Sequence, residues 1–121
     1  MATSLTSNVS IRTSPLHPNA SIVDVEGEVD VLTSPRLKLA LAGLVDGASS
    51  LVIVNLTQVR YMDSTGLGVL ISAMKRIREN SGTIVLSGLN SHLTKIFEIT
   101  GLRRVFEVYP TDQDALNAGL G

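Results

Sequence analysis

The sequence predicts an α/β fold, a four- or five-stranded mixed sheet with about four helices in the order ββαβαβαβα. Short apolar segments alternate with segments of about 10–15 residues whose apolar positions recur at helical spacing. Strands that alternate with helices are typical of parallel neighbours joined by right-handed crossovers. The length of 121 residues also fits a single domain, and we expect its core at about residues 8–118.

The first two strands are predicted from a period of two between apolar and polar residues. This alternation runs over residues 8–12 and again over residues 21–26. Pro15, Pro18 and Asn19 lie between the two segments and indicate a turn. The fold class allows this first pair of strands to be antiparallel.

A helix and a buried strand are predicted next. Ser34 is the expected N-cap, Pro35 follows it at the first helical position, and Gly47 ends the helix. Residues 51–56 form a nearly unbroken apolar run, which is typical of a strand buried on both faces. We therefore expect this strand at the centre of the sheet. The apolar face of the helix comprises Leu37, Leu41, Leu44 and Val45.

The rest of the chain predicts three more helices and two more strands. One helix begins near residue 64 and stops before Gly82, and a strand follows at residues 83–86. A helix capped by Ser91 ends at Gly101, a last strand covers residues 105–108, and a last helix covers residues 112–120. The apolar face of the first of these helices comprises Leu67, Leu70, Ile71, Met74 and Ile77.

Composition excludes several functional classes. The chain has no cysteine, which rules out thiol nucleophiles, disulfides and cysteine-bound zinc. Ten basic against eleven acidic residues and 3% aromatics give neither the charge nor the stacking surface for nucleic acid. No apolar stretch approaches the roughly 18 residues of a membrane span, and no signal peptide is visible. We expect a soluble, cytoplasmic protein that needs no cofactor.

No catalytic constellation is visible in the sequence. His17, expected in a turn, and His92, expected at a helix start, lack neighbours that would make them catalytic. The nucleophile elbow G-x-S-x-G is absent, and so are the glycine-rich motifs that bind nucleotide phosphates. The sequence therefore predicts a protein that is not an enzyme.

Four carboxylates alternate along the second strand and beyond it. Paired carboxylates can hold a divalent ion or act as acid and base. No second group of carboxylates or histidines is placed to complete such a site, so we interpret the alternation as a solvated strand face and predict no metal site. The four residues are Asp24, Glu26, Glu28 and Asp30.

One polar motif follows the central strand, in a predicted loop over residues 58–66. Loops at this edge of a parallel sheet are where function is usually located. Asp63 or Ser64 can cap the next helix, with Gly66 allowing a tight turn, which is ordinary helix initiation. The functional alternative is a modifiable hydroxyl, because phosphorylation would add a charge of about −1.5 to −2 beside Asp63.

The chain resembles the anti-sigma factor antagonists, which are stand-alone STAS domains. The resemblance covers about residues 8–118 and is carried by the M-D-S-T-G-L-G string at residues 62–68. It is supported by V-I-V-N-L at residues 52–56, G-E-V-D at residues 27–30 and G-L at residues 101–102. The fold that it implies is the STAS fold, in agreement with the predicted order of elements.

The resemblance implies a phosphorylation-controlled partner switch that regulates transcription. Unphosphorylated, such a protein binds an anti-sigma factor that is also a serine kinase and frees the sigma factor. Phosphorylation by the kinase, at Ser64 here with Thr65 as the alternative, ends the binding, and a PP2C-type phosphatase resets the switch. Asp30 falls where the family contacts the kinase. The implied partner-binding residues are Asp30, Asp63, Ser64, Thr65, Gly66 and Leu67.

Two other functions stay open. One is a STAS subunit of a transport complex that binds partners without being phosphorylated, and the other is a ligand- or nucleotide-sensing domain. Leu32 and Val69 lie near the predicted site and are either exposed for a partner or part of the core. We expect a monomer or a weak dimer, with no direct contact to nucleic acid or membrane.

Overall fold

The computed structural model describes residues 8–14, 17–47 and 50–120, and its strands form one five-stranded mixed sheet in the order β1-β2-β3-β4-β5. β1 is antiparallel to β2, whereas all other neighbouring strands are parallel. This confirms the predicted fold class, and the first pair of strands, whose direction the sequence left open, is antiparallel. The strands are β1 (Asn8–Ser14), β2 (His17–Val29), β3 (Leu51–Met62), β4 (Thr83–Ser87) and β5 (Val108–Tyr109).

Four α-helices connect or follow these strands, as predicted. A short 3₁₀ helix, Leu102–Arg104, comes after Gly101, which ends the third helix with a φ of 80°. Gly101 was the predicted end, and the left-handed conformation explains why glycine is there. The helices are α1 (Ser34–Val45), α2 (Ser64–Glu79), α3 (Ser91–Thr100) and α4 (Asp112–Leu120).

The core lies on both faces of the sheet. Buried residues of α1, α2 and α3 pack on one face, and α4 packs on the other with Ala115 and Leu116. β3 serves both sides, because Val52 and Val54 belong to the larger cluster and Ile53 to the smaller one. The prediction of a central strand buried on both faces is therefore confirmed.

The predicted helix caps differ from the observed ones by one residue. Thr33 precedes α1 and Ser34 is its first residue, with Pro35 still in the first turn. Asn90 caps α3, because its side-chain oxygen accepts a hydrogen bond from the N–H of Leu93 at 2.8 Å. Ser34 and Ser91 are predicted as caps from residue type alone. At α3, however, the preceding residue Asn90 has the extended backbone that a cap requires.

The turn predicted before the second strand is wrong where the structure describes it. Pro15 lies outside the described residues, and His17, Pro18 and Asn19 belong to β2. The pairing with β1 is irregular here, because Ser14 faces His17 whereas Thr13 faces Ser21. A bulge of this kind accommodates Pro18, which has no N–H to donate to a neighbouring strand.

The last strand is shorter than predicted. Residues 105–107 are not part of β5, which contains only Val108–Tyr109. The N–H groups of Val105 and Phe106 instead donate to the carbonyl of Leu102 at 3.0 and 2.9 Å, which continues the turn that follows α3. Local hydrogen bonds therefore replace strand pairing at Val105 and Phe106, whereas the carbonyl of Glu107 already accepts a hydrogen bond from the N–H of Leu86 in β4 at 3.0 Å.

The loop predicted at residues 58–66 is also wrong. β3 continues to Met62, paired with β2 up to the Val29–Met62 pair, and α2 begins at Ser64. Asp63 is thus the only residue between strand and helix. None of the helices in the described ranges combines the length and the apolar character that crossing a membrane requires.

Candidate functional site

The junction between β3 and α2 is fixed by Asp63. Its carboxylate oxygen Oδ1 accepts hydrogen bonds from the N–H groups of Thr65 at 2.9 Å and Gly66 at 3.3 Å. Its own N–H donates to the carbonyl of Val29 at 3.0 Å. Asp63 is therefore the N-cap of α2, which leaves Ser64 as the first helical residue.

Of the motif residues that follow Asp63, some are exposed at the surface and others pack against the core. Ser64 and Thr65 are exposed, so both hydroxyl groups are accessible to a modifying enzyme. Leu67 is half-buried and packs against the core. The surface of the motif is therefore made by Ser64 and Thr65, at the very start of α2.

Gly66 is required by close packing. It is buried, and a Cβ atom there would lie 2.6 Å from Cγ of Met62 and 2.7 Å from Cγ1 of Val29. Distances under about 3 Å between carbon atoms are strongly repulsive, since carbon atoms prefer separations of about 3.5–4.0 Å. The absence of a side chain lets α2 start directly against the ends of β2 and β3.

Asp30 closes the turn between β2 and α1. Its Oδ1 accepts hydrogen bonds from the N–H groups of Leu32 at 3.0 Å and Thr33 at 3.1 Å. The hydrogen bond from the Thr33 N–H is the main cause that holds the pKa of Asp30 below its ordinary value. The other bonds of the turn add to it, and desolvation opposes it. The turn is further tied down by the N–H of Asp30, which donates to the Thr33 hydroxyl at 2.9 Å.

The two turns lie side by side. Val29 pairs with Met62 and accepts the hydrogen bond from Asp63, so Asp30 and Asp63 follow neighbouring strand ends. The structure thereby brings together the sequence motifs at residues 27–30 and 62–68, which the chain separates by about thirty residues. They form one edge of the sheet, as expected for parallel strands.

Apolar side chains surround this edge without being buried. Leu32 is 84% exposed, Val31 is 67% exposed, and Tyr61 at the end of β3 is also exposed. Of the two residues left open by the sequence, Leu32 is thus a surface residue, whereas Val69 is half-buried against the core. Exposed apolar residues at a candidate site are typical of a protein–protein contact surface.

A groove of about 390 Å³ runs between α1 and α2, and one of its ends is formed by Ser64 and Thr65. Its floor is apolar, with Leu41 and Val45 from α1 and Ala73 from α2. Sequence analysis missed this groove, because the periodicity of each helix identifies its buried face but not the residues at the rim between two helices. The polar rim comprises Lys38, Ser64, Thr65, Ser72 and Arg76.

Comparison with known proteins identifies the family. Residues 12–115 match the model of the STAS domain. The chain belongs to the STAS domain family. The resemblance inferred from the motifs is therefore confirmed, and with it the fold that the resemblance implied.

Named relatives and solved structures agree with this assignment. The anti-sigma-B factor antagonist of Listeria monocytogenes is 39% identical over 101 residues, which cover 84% of this STAS domain and 89% of the relative. An anti-sigma factor antagonist from Mycobacterium paratuberculosis has the same fold, with a TM-score of 0.86 over 100% of both chains at 24% identity. The Bacillus cell fate determinant SpoIIAA in its phosphorylated form has a TM-score of 0.72 at 19% identity, over 92% of this chain and 98% of that one.

The other candidates from the sequence do not form a site in this STAS domain. Asp24 accepts a hydrogen bond from Arg12 at 2.8 Å, whereas the carboxylate of Asp30 closes its own turn. Across the described ranges, no three acidic or histidine side chains are placed to hold a metal ion. His17 is half-buried at the start of β2 instead of lying in a turn, and His92 is exposed at the start of α3.

A polar network on the α4 side was not predicted. The carboxylate of Asp112 accepts hydrogen bonds from Ser87 at 2.7 Å, Arg12 at 2.7 Å and Asn55 at 3.0 Å. Burial raises the pKa of Asp112, but these hydrogen bonds outweigh it, so the pKa lies below its ordinary value. The network joins β1, β3 and β4 to α4, and no sequence pattern links residues this far apart.

Proposed function

We propose that this STAS domain is an anti-sigma factor antagonist controlled by phosphorylation. Unphosphorylated, it binds an anti-sigma factor that is also a serine kinase, and this binding frees the sigma factor. The observation that carries the proposal is the exposed Ser64 at the first position of α2, directly after the capping residue Asp63. A relative at 39% identity is named an anti-sigma-B factor antagonist, which supports the same role here.

The partner surface is the edge formed by the two neighbouring turns. Asp30 shapes the first turn, which presents the exposed Leu32, and the second turn presents Ser64. Asp30 acts in this surface mainly by holding the turn, because its Oδ1 is engaged with backbone N–H groups of the turn itself. Gly66 and Leu67 contribute by placing α2, since one is buried and the other half-buried.

A phosphate on Ser64 would weaken binding by electrostatics. It adds a charge of about −1.5 to −2 beside the carboxylate of Asp63. The N–H groups of Thr65 and Gly66 are already bonded to that carboxylate, so they offer the phosphate little compensation. A switch needs roughly a hundredfold loss of affinity, or about 2.7 kcal/mol, which burying the added phosphate charge at an interface can supply.

The phosphorylation cycle is completed by a PP2C-type phosphatase that removes the phosphate. A structure of phosphorylated SpoIIAA, which shares the fold, supports the idea that this fold can carry the modification. The STAS domain itself serves as substrate and binding partner. We propose that it works in the cytoplasm, as a monomer or a weak dimer.

Phosphosite mapping tests the acceptor. The domain would be incubated with candidate anti-sigma kinases and ATP and examined by intact mass spectrometry, followed by peptide mapping. We expect one added phosphate on the wild type, none on Ser64→Ala, and one on Ser72→Ala, which removes another exposed hydroxyl of the same helix. Phosphorylation of Ser64→Ala would refute the assignment of Ser64. If the phosphate of the wild type mapped to Thr65 and Thr65→Ala were not phosphorylated, Thr65 would be the acceptor.

Capture of binding partners, combined with the kinase assay, distinguishes the proposed function from a role in a transport complex. Capture of partners from cell extract with the wild-type domain would recover an anti-sigma kinase if the proposal holds. Recovery of a transporter ATPase, together with no phosphorylation by any anti-sigma kinase, would favour the STAS subunit of a transport complex instead.

A further inference from the structure

Helices α1 and α2 lie side by side in a fixed register. A guanidinium nitrogen of Arg76 donates to both carboxylate oxygens of Asp46, thirty residues earlier, at 2.6 Å. Both helices connect parallel strands of one sheet and pack on the same face, so they run in the same direction. Lys38 lines the groove together with Ser64 and Gly68, and Gly68 lies four residues or about 6 Å along the axis from Ser64.

Two cations line the groove between these helices, but only one is engaged. Arg76 is held by Asp46 at the far end of the groove from Ser64. Within the part of the chain that the structure describes, Lys38 forms neither an ion pair nor a side-chain hydrogen bond, and it is exposed. The ammonium group of Lys38 is therefore available to an anion that enters the groove.

The space between Lys38 and the start of α2 is open. Gly68 lies there, and a Cβ atom at this position would meet no atom within 4 Å apart from its chain neighbours and the adjacent backbone of α2. Glycine in a helix interior costs roughly 0.5–1 kcal/mol relative to alanine, and no close packing within the chain requires it here. The missing side chain leaves a path along which a lysine side chain can approach Ser64.

We propose that Lys38 binds the phosphoryl group of phosphorylated Ser64 across this groove. The inference rests on the proposed phosphorylation of Ser64 and specifies what happens to the new charge. Asp63 repels the phosphate and its two N–H partners are occupied, so Lys38 is the nearest uncommitted cation of the groove. Pairing them joins α1 to α2 and favours the dianionic form of the phosphate.

The test is a ³¹P NMR titration of the full chain carrying phosphoserine at position 64. The phosphoserine is installed during translation, so the measurement needs no kinase. For the wild type we expect the midpoint of the second phosphate ionisation to lie about half a pH unit or more below that of Lys38→Gln. Lys38→Arg keeps the positive charge and should keep the low midpoint.

Lys75→Gln is the matched control, because Lys75 is an exposed lysine of α2 that does not line the groove. Its midpoint should equal that of the wild type. If the wild type and Lys38→Gln had the same midpoint of phosphate ionisation, the inference would be overturned. The same holds if Lys38→Gln and Lys75→Gln raised that midpoint equally. Because the phosphate is installed, this result is independent of phosphosite mapping, which alone tests whether a kinase uses Ser64.

Discussion

The N–H of Asp63 donates a hydrogen bond to the carbonyl of Val29 at 3.0 Å, which fixes the cap of α2 to the end of the neighbouring strand. This contact explains how two motifs about thirty residues apart in sequence form one surface. The residue after Val29 closes the turn that presents Leu32, and the residue after Asp63 is the exposed Ser64. The candidate site is thus built where two paired strands end, with one turn after each strand.

The cap of α2 is the first feature that mutation can test. Asp63→Ala removes the acceptor for two backbone N–H groups and should lower the free energy of unfolding by about 1 kcal/mol. Asp63→Asn keeps a side-chain oxygen and should remain close to the wild type. Urea denaturation measures both, and equal destabilisation of the two variants would show that the charge matters more than the cap.

The two glycines of α2 should respond in opposite directions to the same substitution. Gly66→Ala forces a Cβ against Met62 and Val29 and should destabilise by about 1–3 kcal/mol. Gly68→Ala meets no atom within 4 Å and should stabilise by roughly 0.5–1 kcal/mol through helix propensity. Thermal unfolding followed by circular dichroism compares them directly. A tolerated Gly66→Ala would contradict the close packing described at this junction.

Acid should weaken the fold through Asp112. Because its pKa in the folded state lies below the ordinary value of 3.8, its contribution is complete above that pH and is lost as pH falls through the folded pKa. Asp112→Asn should therefore flatten the dependence of unfolding free energy on pH below about 4. Gln113→Ala, at an exposed position of the same helix without a carboxylate, is the control and should keep the wild-type dependence on pH. Parallel curves for wild type and Asp112→Asn would argue against the network.

Leu32 should matter for binding and little for folding. It is 84% exposed, so Leu32→Ala removes few contacts within the domain and should change the unfolding free energy by less than about 0.5 kcal/mol. If the turn is part of the partner surface, the same change should weaken binding to the anti-sigma kinase several-fold in calorimetry. Ile99→Ala, at a 74% exposed position on α3, is the matched control and should bind like the wild type.

Most of the fold follows from local sequence signals, and its exceptions have physical causes. Apolar spacing predicted α1, α2 and β3 because these elements carry one or two strongly apolar faces. It failed at residues 105–106, where hydrogen bonds to Leu102 compete with strand pairing, and at Pro18, which a bulge accommodates. It also ended β3 too early, because residues 57–61 are mostly exposed although they pair with β2.

Some residues of the site follow from the local sequence, and others only from contacts between distant segments of the chain. The cap of α2 is encoded within a few residues, so the motif limited it to Asp63 or Ser64, and the structure identifies Asp63. Lys38 becomes notable only when α1 is packed beside α2, and Asp112 only when α4 covers the sheet. Their relevance depends on contacts between distant segments, for which one sequence provides no local signal.

The central claim is that phosphorylation of Ser64 ends partner binding, and a pair of titrations tests it most directly. Isothermal titration calorimetry would compare the unphosphorylated domain with the domain carrying phosphoserine at position 64, each against the cognate anti-sigma kinase. We predict that phosphorylation weakens the affinity by a hundredfold or more, which corresponds to about 2.7 kcal/mol. Equal affinity of the two forms would contradict the proposed switch.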